Sequence, residues 1–346
     1  MTHKNEFRRL LRESFTVEPR WVDWFMDEVY TDDELLALES DGKLTSAMLL
    51  SPYPMNYRGQ LLPAGYMSCV ATARSERGKG NMHRLMIRAL VAAAERGDAL
   101  VCLIPASRRL YFFYDRFGFS TVFYIDEHRY TSVHRFPFGE QFHAVEPDYD
   151  MFRRLESIRP CGIRHDEMRY HQIVKDIELD GGFVVAASDD VGGEAMAFVE
   201  LGREAKVLDI LYSSDEAADA VMALMREKAG ERPVIVRAWP SEAKNGPALR
   251  ARGMARIVNV EMMLSALAAS DAKIDQVVRV YDPIIPSNNG IYILHKGECE
   301  KVQTTLRRVT LDVTVDVLTR LLFSSPSIGQ VFDLPTERPL ISLMLD

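Results

Sequence analysis

Between residues 64 and 104 the chain passes from a strand-like run (64–72) through a glycine-containing turn into an amphipathic helix (79–96). Six unbroken apolar residues follow, Ala99-Leu100-Val101-Cys102-Leu103-Ile104. Met82, Leu85, Met86, Ala89, Leu90 and Ala93 recur at helical spacing, so the helix has one stripe to bury. The 99–104 run shows no polar alternation, as expected of a strand covered on both faces. A strand–helix–strand crossover of this length places parallel neighbours in one sheet, joined right-handedly. Upstream, strand-like runs at 34–38, 43–52 and 64–72 are separated by Ser40-Asp41-Gly42 and Asn56-Tyr57-Arg58-Gly59, which are hairpin signals. Hairpins beside a crossover make a mixed sheet. The fold class is therefore α+β rather than doubly wound.

Two helix patterns precede this core. Phe7, Leu10, Leu11 and Phe15 share a face over 5–15, and Val22, Phe25, Met26 and Val29 share one over 19–30. After the core, a helix at 109–117 stops at Gly118, a residue suited to the left-handed position that ends a helix. Strands are expected at 119–125 and 127–133. The stretch 139–268 then repeats the plan in weaker form, with a strand at 206–212, a helix at 214–229 and a strand at 233–238. Gly118-Phe119 and Gly253-Met254 lie 135 residues apart, an offset that carries strand 99–104 onto 234–239. A polar, Ala/Ser-rich connector at 265–275 leads to a third stretch. It holds strands near 276–280, 291–296 and 309–313, a turn at Pro286-Ser287-Asn288-Asn289-Gly290 and a helix at 315–322. The division expected is 1–138, 139–268 and 269–346. The final run, Pro339-Leu340-Ile341-Ser342-Leu343-Met344-Leu345-Asp346, is apolar almost to its last residue, whereas chain ends ordinarily fray in water. It should be docked.

The balance of 42 Lys+Arg against 50 Asp+Glu gives a net charge of −8, which argues against non-specific nucleic-acid binding. Four scattered cysteines, Cys69, Cys102, Cys161 and Cys299, contain no C-x-x-C pair. They point to a reducing compartment rather than a disulfide framework or zinc site, with Cys69 and Cys102 reading as small core residues. The start leads into a charged helix pattern instead of an apolar leader, and no apolar run approaches the ~18 residues of a membrane span. A cytoplasmic protein without a membrane span is expected.

The chemistry concentrates at Arg77-Gly78-Lys79-Gly80-Asn81. This basic turn stands between a strand and the start of a helix, where free backbone N–H groups and the helix dipole favour an anion. Gly78 and Gly80 permit close backbone approach, and Arg77 and Lys79 add charge. A pyrophosphate suits the place. The turn is neither a P-loop nor a dinucleotide fingerprint, because both glycine patterns are absent.

The turn resembles the acyl-CoA loop of the GNAT superfamily, Gln/Arg-x-x-Gly-x-Gly/Ala, with Arg77 and Gly80 in place and Met82 departing at the last position. Downstream, Tyr114-Asp115-Arg116-Phe117-Gly118-Phe119 resembles that superfamily's Tyr-x-x-x-Gly-Phe. Both motifs fall in order within residues 1–135. The three-part layout resembles the Eis (enhanced intracellular survival) family, whose loop also ends in bulky residues. Asp282-Pro283 and Asn288-Asn289-Gly290 resemble the opening of its third domain. The resemblance implies a catalytic GNAT domain (1–138), a degenerate GNAT-like domain (139–268) and a small sterol-carrier-like α/β domain (269–346), here shorter than usual.

It further implies transfer of acetyl from acetyl-CoA, as co-substrate, to the primary amine of a small cationic molecule or a lysine side chain. The backbone of Val70, Ala71 and Thr72 would hold the carbonyl. Tyr114 would protonate the leaving thiolate, being un-ionised at neutral pH with an ordinary pKa of ~10. The carboxylate of Asp346 would serve as base. In the second repeat Leu249 replaces the tyrosine, and Ser213-Ser214-Asp215-Glu216 replaces the basic turn. Acidic residues there suit capping but repel phosphate. A non-catalytic CoA- or lipid-binding scaffold is the alternative, and a homo-oligomer stays open. His83 and His128 lack metal-ligand spacing and read as surface or packing residues. Trp21 and Trp24 could line a pocket but read first as core packing, and Tyr53, Tyr57 and Asp23 are pocket candidates by position alone.

Overall fold

The computed structural model describes residues 3–238, 249–323 and 338–345. The described residues of 1–123 and 252–339 form one compact unit, and those of 124–251 and 340–345 a second.

The first unit opens with α1 (His3–Ser14) and α2 (Pro19–Trp24). α1 buries Phe7, Leu10 and Leu11 on one face, the stripe its sequence period requires. Pro19 lies in the first turn of α2, where a missing N–H forfeits no helical bond. A π-helical turn, Phe25–Val29, is closed by the Tyr30 N–H donating to the Phe25 carbonyl at 2.9 Å. β1 (Leu35–Ser40), β2 (Lys43–Tyr57) and β3 (Gln60–Thr72) form an antiparallel meander. Asp41-Gly42 and Arg58-Gly59 turn it with positive φ at all four residues, the geometry that two-residue hairpins demand. α3 (Asn81–Arg96) crosses to β4 (Leu100–Leu103), which pairs parallel with β3. α4 (Arg108–Asp115) and β5 (Ser120–Tyr130) follow. Leu85, Met86, Ala89, Leu90 and Ala93 of α3 pack onto Met48, Leu50, Met67, Val101 and Leu103. Burying a side chain such as Leu90 contributes about 1.5–3 kcal/mol, so this stripe, rather than any polar contact, holds α3 to the sheet.

The second unit holds β6 (His143–Val145), α5 (Tyr149–Ile158), β7 (Cys161–Ile163) and α6 (Glu167–Leu179), then β8 (Phe183–Ser188), β9 (Glu194–Leu201), β10 (Ala205–Tyr212), α7 (Asp215–Ala229) and β11 (Val234–Ala238). β8, β9 and β10 are antiparallel neighbours, while β10 and β11 run parallel. The crossover β10–α7–β11 thus repeats β3–α3–β4. β11 pairs on its other side with residues 126–130 of β5. That pairing carries β5 straight through Asp126-Glu127, where the sequence reading had placed a break between two strands. The tail is held in this unit. Leu340 forms a parallel bridge with Gly162, and Leu340, Ile341, Leu343, Met344 and Leu345 are buried.

β12 (Arg250–Ile257) pairs antiparallel with β4, from Met254 opposite Leu103 to Ile257 opposite Leu100. α8 (Val260–Ser270) covers the first half of the stretch read as a connector. Its alanines are strong helix formers, and Leu264, Ala266, Leu267 and Ala268 are buried; composition alone made a core helix look like a linker. β13 (Gln276–Tyr281), β14 (Gly290–His295), β15 (Glu298–Val302) and β16 (Leu311–Thr314) build a four-stranded sheet in the order β15-β14-β13-β16, followed by α9 (Val315–Phe323). At the heart of this region Arg256 and Asp282, both with 0% side-chain exposure, pair at 2.6 Å. Asp282 also accepts from the Ile284 and Ile285 N–H groups and from Asn288 Nδ2, so no carboxylate oxygen is left without a donor.

Candidate active site

β3 and β4 are paired only over residues 64–66 of β3, and beyond Tyr66 the two strands part. Just there β3 carries a bulge: Leu49 faces Ser68 and Ala47 faces Ala71, leaving two residues against one. Cys69 takes φ 53° within it, a left-handed value that costs a residue with a Cβ and recurs where strands re-aim side chains at functional sites. A cavity of about 430 Å³ occupies the opening, within the size range of small-molecule sites. Leu11, Phe15 and Trp21 wall it from the helical side, Tyr66 to Val70 from β3, and Ile104 to Ala106 from the end of β4. α4 supplies Leu110 and Tyr114.

Tyr114 is 5% exposed, with its ring edge-on to Phe119 at 5.9 Å and to Phe113 at 5.3 Å. Burial pushes its hydroxyl up to about 12. It remains an O–H donor at neutral pH. The turn that ends α4 is fixed from below: Arg256 Nε donates to the Phe117 carbonyl at 2.7 Å. Gly118 follows with φ 81°, and a Cβ there would come within 3.3 Å of Arg256 Nε. The helix stop at Gly118 is therefore both a left-handed cap and a close approach.

The basic turn lies exposed at the start of α3. Gly78 and Gly80 have φ 79° and 78°, with no atom within 4 Å of a Cβ built on either. Gly80 is the N-cap residue, and no side chain caps the helix, so its first N–H groups are available to a ligand anion. Arg77 Nε donates to the Thr72 carbonyl at 3.1 Å, tying the turn to the end of β3, while Lys79 pairs with Glu76 at 2.9 Å. Asn81 is buried, its Oδ1 accepting from Arg84 at 2.5 Å. Val70 lines the cavity, Ala71 is buried in the β2 register, and Thr72 Oγ1 shares a 2.9 Å hydrogen bond with Ser46. Asp346 lies outside the described residues.

Of the pocket candidates, Trp21 lines the cavity, stacked on Phe25 at 4.9 Å. Tyr53 packs edge-on to Tyr66 at 5.9 Å, and Tyr57 is buried against Phe323 at 5.2 Å. Asp23 pairs with Arg12 at 2.6 Å. His83 rests on the Phe117 ring at 5.0 Å, and His128 meets Asp126 at 3.2 Å. Cys102 is fully buried, whereas Cys69 is half-exposed on the cavity wall rather than in the core, because the bulge turns it out. The sequence reading missed Ser68 and Arg252, both cavity residues. No motif marks them. Arg252 arrives from β12, and only the register with β4 brings it there. Among the described residues no group of three or more His, Cys, Asp or Glu is placed to hold a metal ion.

The corresponding places in the second unit are filled. β10 has its own bulge at 207–209, but there Asp209 is buried. Arg159 donates to it at 2.8 and 2.5 Å, and Ser342 Oγ at 2.5 Å. At the start of α7 the Ser214 side chain accepts from the Ala217 N–H, with Asp215 and Glu216 beside it. A capped, acidic helix start offers nothing to a phosphate.

Residues 2–122 match the family model of the acetyltransferase (GNAT) domain. No curated protein is significantly similar in sequence. Among solved structures, Eis1 from Mycobacterium abscessus is similar with TM-score 0.76 at 14% identity, over 99% of this chain and 97% of that one. A GCN5-related N-acetyltransferase from Anabaena variabilis ATCC 29413 gives TM-score 0.79 at 14% identity, over 98% and 97%. A probable N-acyltransferase from Enterococcus faecalis V583, described as a conserved protein of unknown function, gives 0.75 at 16%, over 96% and 90%. At such identities the likeness is one of fold, and it extends over almost the whole chain. The family match covers residues 2–122, and beyond them the likeness is one of fold alone.

Proposed function

We propose that the chain is an acyl-CoA-dependent N-acyltransferase that moves an acetyl group from acetyl-CoA to a primary amine. The observation that carries the reading is the placement of Tyr114, protonated and walled in by apolar residues, on a cavity that opens where β3 and β4 part. The donor's pyrophosphate lies on the uncapped start of α3, within the 77–81 turn. Its thioester reaches the bulged end of β3, where backbone N–H groups of 70–72 receive the oxyanion. The amine attacks the thioester carbon, a C–N bond forms and the C–S bond breaks. The departing thiolate takes the Tyr114 proton. The proton lost by the amine passes to the C-terminal carboxylate of Asp346 and returns the tyrosine to its starting state through water. An ordinary carboxylate, with a pKa of ~3–4, is a weak base at neutral pH, so this last role needs desolvation or a water relay.

The same reading keeps the three stretches 1–138, 139–268 and 269–346 as a catalytic domain, a degenerate repeat and a small sterol-carrier-like domain. Acetyl-CoA-dependent thiol release over an amine panel tests the function. Tyr114→Phe and a chain lacking Asp346 should each lose about 100-fold in turnover; undiminished turnover in both removes the assigned roles. Calorimetry decides the rest. Failure to bind acetyl-CoA rejects the transferase, and binding without turnover on any amine leaves a CoA-binding scaffold.

A further inference from the structure

The cavity is walled by residues that flank the parted ends of β3 and β4. Among the described residues that line it there is neither Asp nor Glu, in a chain where Asp and Glu exceed Lys and Arg. On α1, α2 and the π-helical turn, Asp23 is engaged by Arg12 at 2.6 Å, Asp27 by Lys4 at 3.1 Å and Arg8 at 2.9 Å, and Glu13 by Arg9 at 3.1 Å. The one charged side chain on the wall, among the described residues, is the guanidinium of Arg252. Strand alternation puts Arg252 on the same face of β12 as Met254 and Arg256. Arg256 is matched by Asp282, whereas Arg252 makes no hydrogen bond or ion pair with any described residue. The remaining wall is aromatic and aliphatic, with Phe15, Trp21, Tyr66 and Leu110 prominent.

Such a site repels a polycation. Its described lining offers no partner to a second ammonium and sets a fixed positive charge against it. It fits a molecule with an apolar body and one negative group, and a guanidinium matches a carboxylate in fork geometry. We infer that the acceptor is an amine borne on an aromatic or branched aliphatic body that also carries a carboxylate, with Arg252 binding the carboxylate. The assignment rests on the acyltransferase reading for the reaction but concerns the ligand alone. It replaces the cationic acceptor that the resemblance implied.

Calorimetric titration of the full chain with the N-acetyl derivatives of phenylalanine, tryptophan and leucine, each against its C-terminal amide, isolates the negative charge. The wild type should bind each acid about 10- to 100-fold more tightly than its amide. Arg252→Met should level each pair and Arg252→Lys should retain part of the difference. In turnover, the free amino acid should show the lower KM against its amide, and Arg252→Met should abolish that difference. Equal affinities for acid and amide in the wild type, no binding of either, or an undiminished preference in Arg252→Met overturns the assignment. Acetyl-CoA binding is measured separately. If it fails while the acid preference stands, the transferase reading falls and the carboxylate site survives. If it succeeds while acid and amide are equal, the reverse holds.

Discussion

Tyr114 shows how burial keeps one hydroxyl protonated. Burial raises its hydroxyl to about 12 against an ordinary ~10. Below pH ~10 folded and unfolded chains both keep the phenolic proton. Between there and the folded value only the folded chain keeps it, so the unfolded state gains and stability falls as pH rises through that window. Tyr114→Phe should flatten this alkaline slope, as denaturant unfolding at stepped pH will show; an unchanged slope contradicts the burial. At the other end of the site, Arg77 and Lys79 are exposed charges, so their attraction to a phosphate is screened by salt. Arg77→Ala should weaken acetyl-CoA binding several-fold at low ionic strength and much less in high salt, measured by calorimetry. Arg77, Gly80 and Tyr114 were legible because each belongs to a local pattern. Arg252, Ser68 and the outward turn of Cys69 were not, since a bulge and a strand register have no signature in neighbouring residues.

Elements followed their periodicities wherever one face alone is buried. α1, α3 and β1 to β3 match the apolar spacing, and the hairpin turns fall on Asp41-Gly42 and Arg58-Gly59. Misreadings occurred where tertiary burial overrode composition, as when charged residues were drawn into β5 and alanines into α8. One glycine controls the seat of the tail. At Gly162 a Cβ would lie 2.9 Å from the Leu340 carbonyl oxygen, closer than real Cβ atoms come. Gly162→Ala should therefore loosen residues 340–345, read as faster amide exchange in that segment; unchanged protection refutes the contact. The Arg256–Asp282 pair has no such slack. Asp282→Ala leaves a guanidinium buried without its counter-charge and should cost about 3–5 kcal/mol in urea unfolding. Replacing Arg256 and Asp282 together by Met and Leu should recover only the part of the loss due to the unpaired charge, because the Ile284 and Ile285 N–H groups and the Phe117 carbonyl then lose their partners.

At the scale of the whole chain, the two crossovers share a topology but not a chemistry. The first ends in an uncapped basic turn beside an open cavity, the second in a capped acidic turn beside a bulge filled by Arg159, Asp209 and Ser342. One acetyl-CoA should bind per chain, and a stoichiometry of two in calorimetry would refute the assignment of silence to the second unit. At 100 times its dissociation constant that single ligand should add about 2.7 kcal/mol of stability, visible as a rise in melting temperature. No helix among the described residues is long and apolar enough to cross a membrane.

The sequence by itself determined the α+β class, the order of the crossovers, the basic turn and the tyrosine. Each of these depends on residues a few positions apart, where backbone geometry turns spacing directly into a shared face or a cap. Only the tertiary structure decided that β12 pairs with β4, that the bulge opens the wall at Cys69, and that Arg252 is the one charged side chain among the described residues of the wall. The pairing and the place of Arg252 depend on a register between segments more than a hundred residues apart, and the bulge on the register of β3 against β2. Packing free energy sets such registers, and local sequence carries no record of them.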